Sequence, residues 1–248
     1  MTLRIDYMTH KDVERHLAEG RRVLIIPVGT LESHGPHLPL GTDTIIPEWI
    51  AERIAESING LIAPPIHYGV TSSLLRYAGS TSISEETLER LLFEIISCFA
   101  RHGFELFVIL NGHGGNIEPI RRAMRRLWEE REIKSVAIHW WIYAKDLTRS
   151  VFGEKGGHGW VDETAMMMAI DPAYVRKVDV SDAVHVQREG IDIFPCPGSV
   201  ILYGTEGEPS FDPAKSKIYA TSVVRRIIEE LQKIMKSLGL ATTSQDTR

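Results

Sequence analysis

The amino-acid sequence predicts an α/β fold in which helices cover a parallel central sheet. Short apolar runs, which are typical of buried strands, alternate along the chain with stretches in which apolar residues recur at helical spacing. Strands separated by helices pair in parallel through right-handed crossovers, and such sheets bind ligands at the carboxyl ends of their strands. The 248 residues are 43% hydrophobic, which is enough apolar material for a sizeable core.

Four apolar runs are predicted to form strands. The first is Val23–Val28, and the second is a short run that ends before Pro64 and Pro65. The other two lie further along the chain, separated by a stretch with helical periodicity. The four predicted strands are residues 23–28, 61–63, 106–110 and 135–141.

Helical periodicity predicts the segments that connect these strands. One helix is expected to start at a capping box formed by Ser82 and Glu85 and to stop at Gly103. Another is expected to begin at Asn116, whose side chain can cap it, and to run to Arg131. Further helical patterns cover residues 47–57 and 165–170.

The composition limits the classes of function. A formal net charge of -5 and a pI near 6.1 argue against a nucleic-acid protein, which usually carries a basic stripe. The densest basic cluster, residues 121–126, is followed by several glutamates, so we interpret it as a solvated helix face. The two cysteines, Cys98 and Cys196, imply no disulfide framework.

We predict a single cytoplasmic domain. The sequence contains no internal repeat and no linker-like tract, so residues 1–240 are assigned to one domain and the polar residues 241–248 to a frayed tail. The amino terminus lacks the apolar region of a signal peptide, and no apolar stretch reaches the ~18 residues of a membrane span. Neither a membrane nor a nucleic acid is therefore expected as a partner.

The loop after the first predicted strand has the composition of a metal site. It carries Glu32, His34, His37 and Asp43, interleaved with glycines and prolines that allow tight turns. Carboxylate and imidazole without nearby cysteine suit Zn, Mn or Fe(II). The alternative is a polar surface loop without a ligand.

A second cluster, residues 111–116, follows the third predicted strand and contains His113 between glycines. One interpretation is a phosphate-binding loop, although the sequence lacks the G-x-G-x-x-G spacing and the lysine of a Walker A loop. The other is that the glycines clear space for His113 to reach a metal. Because both loops leave parallel strands at the same sheet edge, His113 can converge with Glu32, His34 and Asp43.

A third cluster, residues 156–164, combines glycines with His158, Asp162 and Glu163 ahead of a helical run. Two acidic residues at a helix start are usually partners of the helix dipole. Beside a metal site, however, Glu163 can complete the ligand shell and His158 can act as an acid or base near neutral pH. The glycines on both sides of His158 suggest a ring that is free to swing over a substrate.

These three clusters resemble the motifs of the creatininase, or creatinine amidohydrolase, family. The matching blocks are residues 29–39 with Thr42 and Asp43, residues 111–116, and residues 157–159 with Glu163 and Thr164. The resemblance implies a three-layer α/β/α sandwich, usually oligomeric and commonly hexameric. It also implies one or two divalent metals that activate water for the hydrolysis of an amide or cyclic amide C–N bond.

Carried over by position, Glu32, His34, Asp43 and His113 are expected to be metal ligands, with Asp43 bridging if two ions bind. Creatininase itself has a Tyr-Glu pair where this chain has glycines at positions 114 and 115, so one donor is lost and Glu163 is the best substitute. His37 is expected to hold a ligand or the substrate rather than the metal.

We therefore expect a divalent-metal-dependent amidohydrolase in which His158 delivers a proton to the departing nitrogen. The substrate would be a small amide, in a pocket walled by residues 68–77 and 139–143. Alternatives are a formylamino-pyrimidine ribonucleotide deformylase or a redox-peptide peptidase of the same family, or a non-catalytic metal and nucleotide-binding module. A homo-oligomer is expected, with a hexamer as the state that the resemblance implies and with Trp140, Trp141 and Trp160 near a subunit boundary.

Overall fold

The computed structural model describes residues 2–188, 190–191, 193–203 and 211–240. Its central sheet has four parallel strands in the order β2-β1-β3-β4. β1 and β3 lie in the middle, and every residue of these two strands is buried. The strands are β1 (Val23–Val28), β2 (Gly60–Ile62), β3 (Leu106–Asn111) and β4 (Lys134–His139).

Helices cover both faces of this sheet. Within the described residues, the α-helices are α1 (His10–Ala18), α2 (Thr42–Ile54), α3 (Glu85–Ala100), α4 (Ile117–Arg131), α5 (Trp140–Tyr143), α6 (Lys145–Phe152), α7 (Val161–Ile170) and α8 (Pro213–Ser237). Because side chains alternate along a strand, Leu24 and Ile26 pack with α3 and α4, whereas Ile25 packs with α2, α7 and α8 on the opposite face. The predicted three-layer α/β/α sandwich is confirmed.

A second, smaller sheet lies beside the first and was not expected from the sequence. Its strands are β5 (Gly157–His158), β6 (Val184–Gln187) and β7 (Val200–Tyr203), in the order β5-β7-β6. β5 is antiparallel to β7, and His158 is paired with Ile201. This pairing fixes the backbone of a candidate site residue.

Several predicted boundaries differ from the structure. α2 begins at Thr42 rather than at residue 47, because its first turn carries Asp43 and Thr44 in place of the apolar periodicity used for the prediction. The predicted strand 135–141 ends at His139, after which the chain turns into α5. Residues 241–248, the predicted frayed tail, lie outside the described residues.

Two predicted helix caps are wrong. α3 is capped by Ser84, whose side chain accepts a hydrogen bond from the Thr87 N–H, whereas the Ser82 hydroxyl accepts one from the Thr71 N–H. Asn116 precedes α4 but does not cap it, since its side chain bonds the backbone of other loops. Both polar side chains thus hold the loop before α3.

No described helix is long and apolar enough to cross a membrane.

Candidate active site

The candidate site lies where the carboxyl ends of β1 and β3 meet the start of α7. The loop after β1 supplies Glu32 and His34, and the first turn of α2 supplies Asp43. His113 follows β3, as expected for two parallel strands that end at the same sheet edge. The second sheet and α7 complete the cluster with His158 and Glu163.

His34 is held by the backbone and directed at a carboxylate. Its Nδ1–H donates a hydrogen bond to the Glu32 carbonyl at 3.0 Å, and its Nε2 lies 2.9 Å from Oδ1 of Asp43. Burial alone would lower the pKa of His34, but the charges of Asp43 and Glu163 raise it to about 10. Near neutral pH, Nε2 of His34 therefore carries a proton beside Asp43. A metal ion that binds to this nitrogen would replace the proton.

His113 has the same arrangement with its nitrogens exchanged. The Nε2–H donates to the Val70 carbonyl at 2.8 Å, which leaves Nδ1 at 2.9 Å from Oδ2 of Asp43 and 3.2 Å from Oε1 of Glu32. Burial opposes a charged ring, but Glu32 and Asp43 raise the pKa of His113 well above its usual value. A backbone carbonyl on one ring nitrogen and carboxylates at the other is the usual environment of a metal-binding histidine.

Asp43 lies at the centre of the cluster. Three groups of side chains each place their ligand atoms within 4.8 Å of one another: Glu32, Asp43 and His113; His34, Asp43 and Glu163; Glu32, His34 and His158. The first two groups share Asp43. Its Oδ2 atom is buried, makes no hydrogen bond of good geometry among the described residues, and lies 2.9 Å from Nδ1 of His113. A buried carboxylate oxygen is costly unless a bound cation or a charged donor compensates it.

Glu163 closes the cluster from the α7 side. Its Oε2 accepts a hydrogen bond from the Gly159 N–H at 2.6 Å and lies 3.7 Å from Nε2 of His34. Burial and the neighbouring charges of Asp43 and Asp162 raise the pKa of Glu163 to about 8, although His34 opposes the shift. The carboxyl group is thus placed to serve as the oxygen donor of the second group.

His158 is held in place, in contrast to the swinging ring suggested by its glycine neighbours. The Nε2–H donates to the Ser33 carbonyl at 2.7 Å, and the ring packs against His34 with centroids 4.2 Å apart. Nδ1 is therefore the basic nitrogen, and it lies 3.4 Å from Oε1 of Glu32. Burial and the charge of His34 lower the pKa of His158 to about 4, so the ring is neutral near pH 7.

His37 belongs to none of the three groups of possible ligands. Its ring is buried, lies edge-on to Phe211 and places Nε2 3.1 Å from Oγ1 of Thr164. Burial and the charge of His34 lower the pKa of His37 to about 4. This contact joins the loop after β1 to α7, and the expectation that His37 holds a ligand or the substrate stays a prediction.

Two glycines allow the loop after β3 to approach its neighbours. A Cβ atom at Gly112 would lie 2.0 Å from the Asp43 carbonyl oxygen, and one at Gly115 would lie 2.0 Å from the Val70 carbonyl oxygen. The Val70 carbonyl is also the acceptor for His113. Close approach to Asp43 and Val70 therefore explains Gly112 and Gly115, whereas at Gly114 a Cβ would meet nothing within 4 Å.

Five residues of the cluster line a cavity of about 1030 Å³, namely Glu32, Asp43, His113, His158 and Glu163. Parts of both predicted walls line it, namely residues 70 and 72–74 and residues 141–142. Sequence reasoning missed Lys145, Lys155 and Tyr203, and it named Asp162 without giving it a role in the pocket. Lys155 directly precedes Gly156 and Gly157 of the third cluster, and this position is the sequence signal that could have indicated it.

Two of the three tryptophans expected near a subunit boundary are not available for contact with a partner. Trp140 and Trp160 are fully buried in the core of the same chain, and Trp141 is only partly exposed. Trp160 donates its Nε1–H to Glu154 at 2.8 Å. The apolar area of these rings stabilises the fold, so the aromatic content near the site does not by itself indicate an interface.

The chain matches a known protein family along most of its length. The sequence profile of the Creatininase family, described as creatinine amidohydrolase, matches residues 6–230. This chain belongs to the creatininase family. The family consists of hydrolases that act on amide bonds, so the chain is an amidohydrolase, as its three motif blocks predicted.

Curated relatives of this creatininase-family chain have different substrates. Creatinine amidohydrolase from Pseudomonas putida is 32% identical over 206 residues, which cover 76% of this chain and 79% of the relative. Mycofactocin precursor peptide peptidase from Mycobacterium ulcerans is 36% identical over 61% of this chain and 60% of the relative. A 2-amino-5-formylamino-6-ribosylaminopyrimidin-4(3H)-one 5′-monophosphate deformylase from Methanococcus voltae is 29% identical over 43% of each chain.

Solved creatininases share the fold along nearly the whole chain. A tryptophan-to-phenylalanine mutant creatininase aligns with a TM-score of 0.81 and 26% identity, over 94% of this chain and 98% of that one. A mutant of the Zn-Zn type aligns with a TM-score of 0.77 and 28% identity, over 94% and 98% of the two chains. Creatininase Mn aligns with a TM-score of 0.76 and 27% identity, over the same fractions.

Proposed function

We propose that this chain hydrolyses a C–N amide bond with two divalent metal ions bound on either side of Asp43. Glu32, Asp43 and His113 would hold one ion, and His34, Asp43 and Glu163 the other. The observation that carries the proposal is the pair of buried histidines whose free ring nitrogens both face Asp43 while backbone carbonyls hold their other nitrogens. That arrangement is typical of metal-binding histidines.

The donor set limits the choice of metal. Imidazole nitrogens and carboxylate oxygens without thiolate suit Zn, Mn or Fe(II). The related solved creatininases of the Zn-Zn and Mn types support this choice. Glu163 is proposed as the oxygen donor of the second ion, since the loop after His113 offers only Gly114 and Gly115.

A divalent ion, when bound, lowers the pKa of water towards 7 and polarises the substrate carbonyl. The protein must then supply a proton to the departing nitrogen, because an amide anion is a poor leaving group. His158 is suited to move this proton, since Nδ1 of the neutral ring is free to accept the proton that the attacking water releases and can then pass it to the departing nitrogen. The Ser33 carbonyl fixes the ring in that orientation, and Glu163 is the next candidate if His158 does not act.

The cavity supports a small-molecule substrate. A volume of about 1030 Å³ lies at the upper end of the range of ligand pockets. Creatine is bound in one related solved creatininase, which is consistent with a small polar ligand. A non-catalytic module with a closed metal shell is less compatible with a site that opens into such a cavity.

A formamide that carries a phosphate is the second candidate substrate. Lys145 and Lys155 both line the cavity and are exposed. Among the described residues, lysine ion pairs involve Lys11 and Lys233, so neither cavity lysine has a carboxylate partner there. Two lysines at the entrance favour an anionic substrate such as that of the deformylase relative.

The test is a metal-dependent assay on a panel of amides. The purified protein is stripped with a chelator, reloaded with Zn, Mn or Fe(II), and incubated with cyclic amides, formamides with and without a phosphate, and short peptides. We expect hydrolysis of at least one amide class only in the presence of metal. Binding of metal without hydrolysis of any amide would favour the non-catalytic module.

We also propose that the chain forms a homo-oligomer, with a hexamer as the specific expectation. Two apolar side chains beside the cavity, Ile142 and Tyr203, are more than half exposed, at 51% and 56%. These two side chains are the candidates for contact with a partner subunit in such an oligomer. Light scattering at micromolar concentration tests this, and a monomer of 27.9 kDa would contradict it.

A further inference from the structure

The loop before α3 contacts two of the proposed metal ligands although it belongs to none of the three motif blocks. The carbonyl of Val70 accepts the Nε2–H of His113 at 2.8 Å. The hydroxyl of the next residue, Thr71, donates to Oε2 of Glu32 at 2.9 Å. One dipeptide thus orients both non-bridging members of the group formed by Glu32, Asp43 and His113.

The hydrogen bonds around Thr71 have only one consistent direction. A hydroxyl has a single proton to donate, and Thr71 gives its proton to Glu32. The Thr30 hydroxyl, 3.2 Å from Oγ1 of Thr71, must therefore donate to Thr71, and it accepts from the Gly69 N–H at 3.3 Å. The chain from Gly69 through Thr30 and Thr71 to Glu32 is buried, so its bonds strengthen one another.

The dipeptide is itself fixed from two other directions. The Val70 N–H donates to Oδ1 of Asn116 at 2.9 Å, and the Thr71 N–H donates to the Ser82 hydroxyl at 2.9 Å. A Cβ atom at Gly69 would lie 2.4 Å from Oδ1 of Asn116, so a larger residue would displace this contact. The side chains that failed as helix caps thus hold the segment that orients the ligands.

We propose that Thr71 is a positioning residue that holds Glu32 in its metal-binding orientation, with Thr30 setting the direction of the Thr71 hydroxyl. The inference rests on the proposed metal site. Removing the hydroxyl leaves Oε2 of Glu32 buried without its donor and frees the carboxylate to rotate. Loss of such a supporting partner typically costs 10- to 100-fold in metal affinity.

The test compares Zn²⁺ binding by isothermal titration calorimetry with thermal unfolding of the metal-free protein. Thr71→Val removes the hydroxyl at nearly constant volume, and Thr71→Ser keeps it. The matched control is Thr148→Val, since the Thr148 hydroxyl is also fully buried and bonds Ala144 and Tyr219 away from the site. Thr71→Ala is a second hydroxyl deletion in case the valine variant does not fold.

We expect Thr71→Val to bind Zn²⁺ about 10- to 100-fold more weakly than the parent, and Thr71→Ser to bind nearly as tightly as the parent. Thr148→Val is expected to lower the unfolding temperature but to keep the parent affinity. If Thr71→Val and Thr71→Ala both bind Zn²⁺ as tightly as the parent, the proposed role of Thr71 is wrong, and the proposed metal site is unaffected. Absence of Zn²⁺ binding by the parent itself overturns the proposed function as well.

Discussion

The Nδ1 atom of His113 lies 2.9 Å from Oδ2 of Asp43, although the two residues follow different strands of the sheet. The Val70 carbonyl accepts the other ring nitrogen, so Nδ1 has a lone pair available in the neutral ring. His34 approaches the second oxygen of Asp43 in the same way. This symmetry makes Asp43 the residue on which the proposed metal centre depends.

Asp43→Asn is expected to abolish binding at both proposed metal positions, since Asp43 belongs to both groups. Elemental analysis after reloading with Zn²⁺ measures the effect. Asp162→Asn is the matched control, because Asp162 is also buried and lines the cavity but belongs to none of the possible ligand groups. Equal metal content in the two variants would show that Asp43 is not the central ligand.

Metal affinity is expected to rise with pH. The pKa of His34 is raised to about 10 in the metal-free protein, so the ring holds a proton at neutral pH that the metal must displace. Each displaced proton adds about one logarithmic unit of affinity per pH unit below this pKa. Calorimetry in buffers of different ionisation enthalpy should detect proton release between about pH 6 and pH 8. A metal affinity that does not change between these pH values would show that no proton on His34 has to be displaced.

His158→Ala is expected to keep its metal and fold but to lose ~10²- to 10⁴-fold in turnover, as for a proton-transfer group. His113→Ala is expected to lose metal and activity together, because it removes a nitrogen that faces Glu32 and Asp43. Metal analysis and turnover of the best amide are measured on both variants. If the His158 variant also loses its metal, the ring is a ligand. If it turns over at the parent rate, Glu163 becomes the leading candidate.

Adjacent glycines in the loop after β3 are expected to respond differently to alanine. A Cβ at Gly115 would lie 2.0 Å from the Val70 carbonyl oxygen, so Gly115→Ala should displace the acceptor of His113 and cost about 1–3 kcal/mol of stability. Gly114→Ala should change stability by less than about 1 kcal/mol, because its Cβ would meet nothing within 4 Å. Thermal unfolding and Zn²⁺ affinity are measured on both variants. If the two variants have the same unfolding temperature and the same affinity, the Gly115 position is not sterically restricted as proposed.

The layers of the fold could be predicted because the central strands are continuous apolar runs. β1 and β3 are buried on both faces, so apolar residues follow one another without polar ones between them, and such runs are easily recognised in the sequence. α2 was placed too late, since its first turn is occupied by the polar residues of the site. The small second sheet was missed because β5 has only two residues, Gly157 and His158, which show no periodicity.

The chemistry of the site could be predicted in part, for a physical reason. Ligand types such as His113 and Glu163 stand out by composition, and parallel strands bring their loops to one edge. Thr71 could not be recognised in this way, because a buried threonine has no distinctive pattern until the fold places it beside Glu32. Lys145 and Lys155 were missed for the same reason, since only the folded chain shows that they face the cavity.

The most direct test of the central claim is a titration of the metal-free protein with Zn²⁺, in which hydrolysis of the best amide substrate is measured after each addition. The account predicts no turnover without metal, and activity that rises with added Zn²⁺ until both positions that share Asp43 are filled. It also predicts that Asp43→Asn stays inactive throughout the titration. Turnover that persists in the metal-free protein, or in metal-free Asp43→Asn, would contradict metal-dependent hydrolysis at this site.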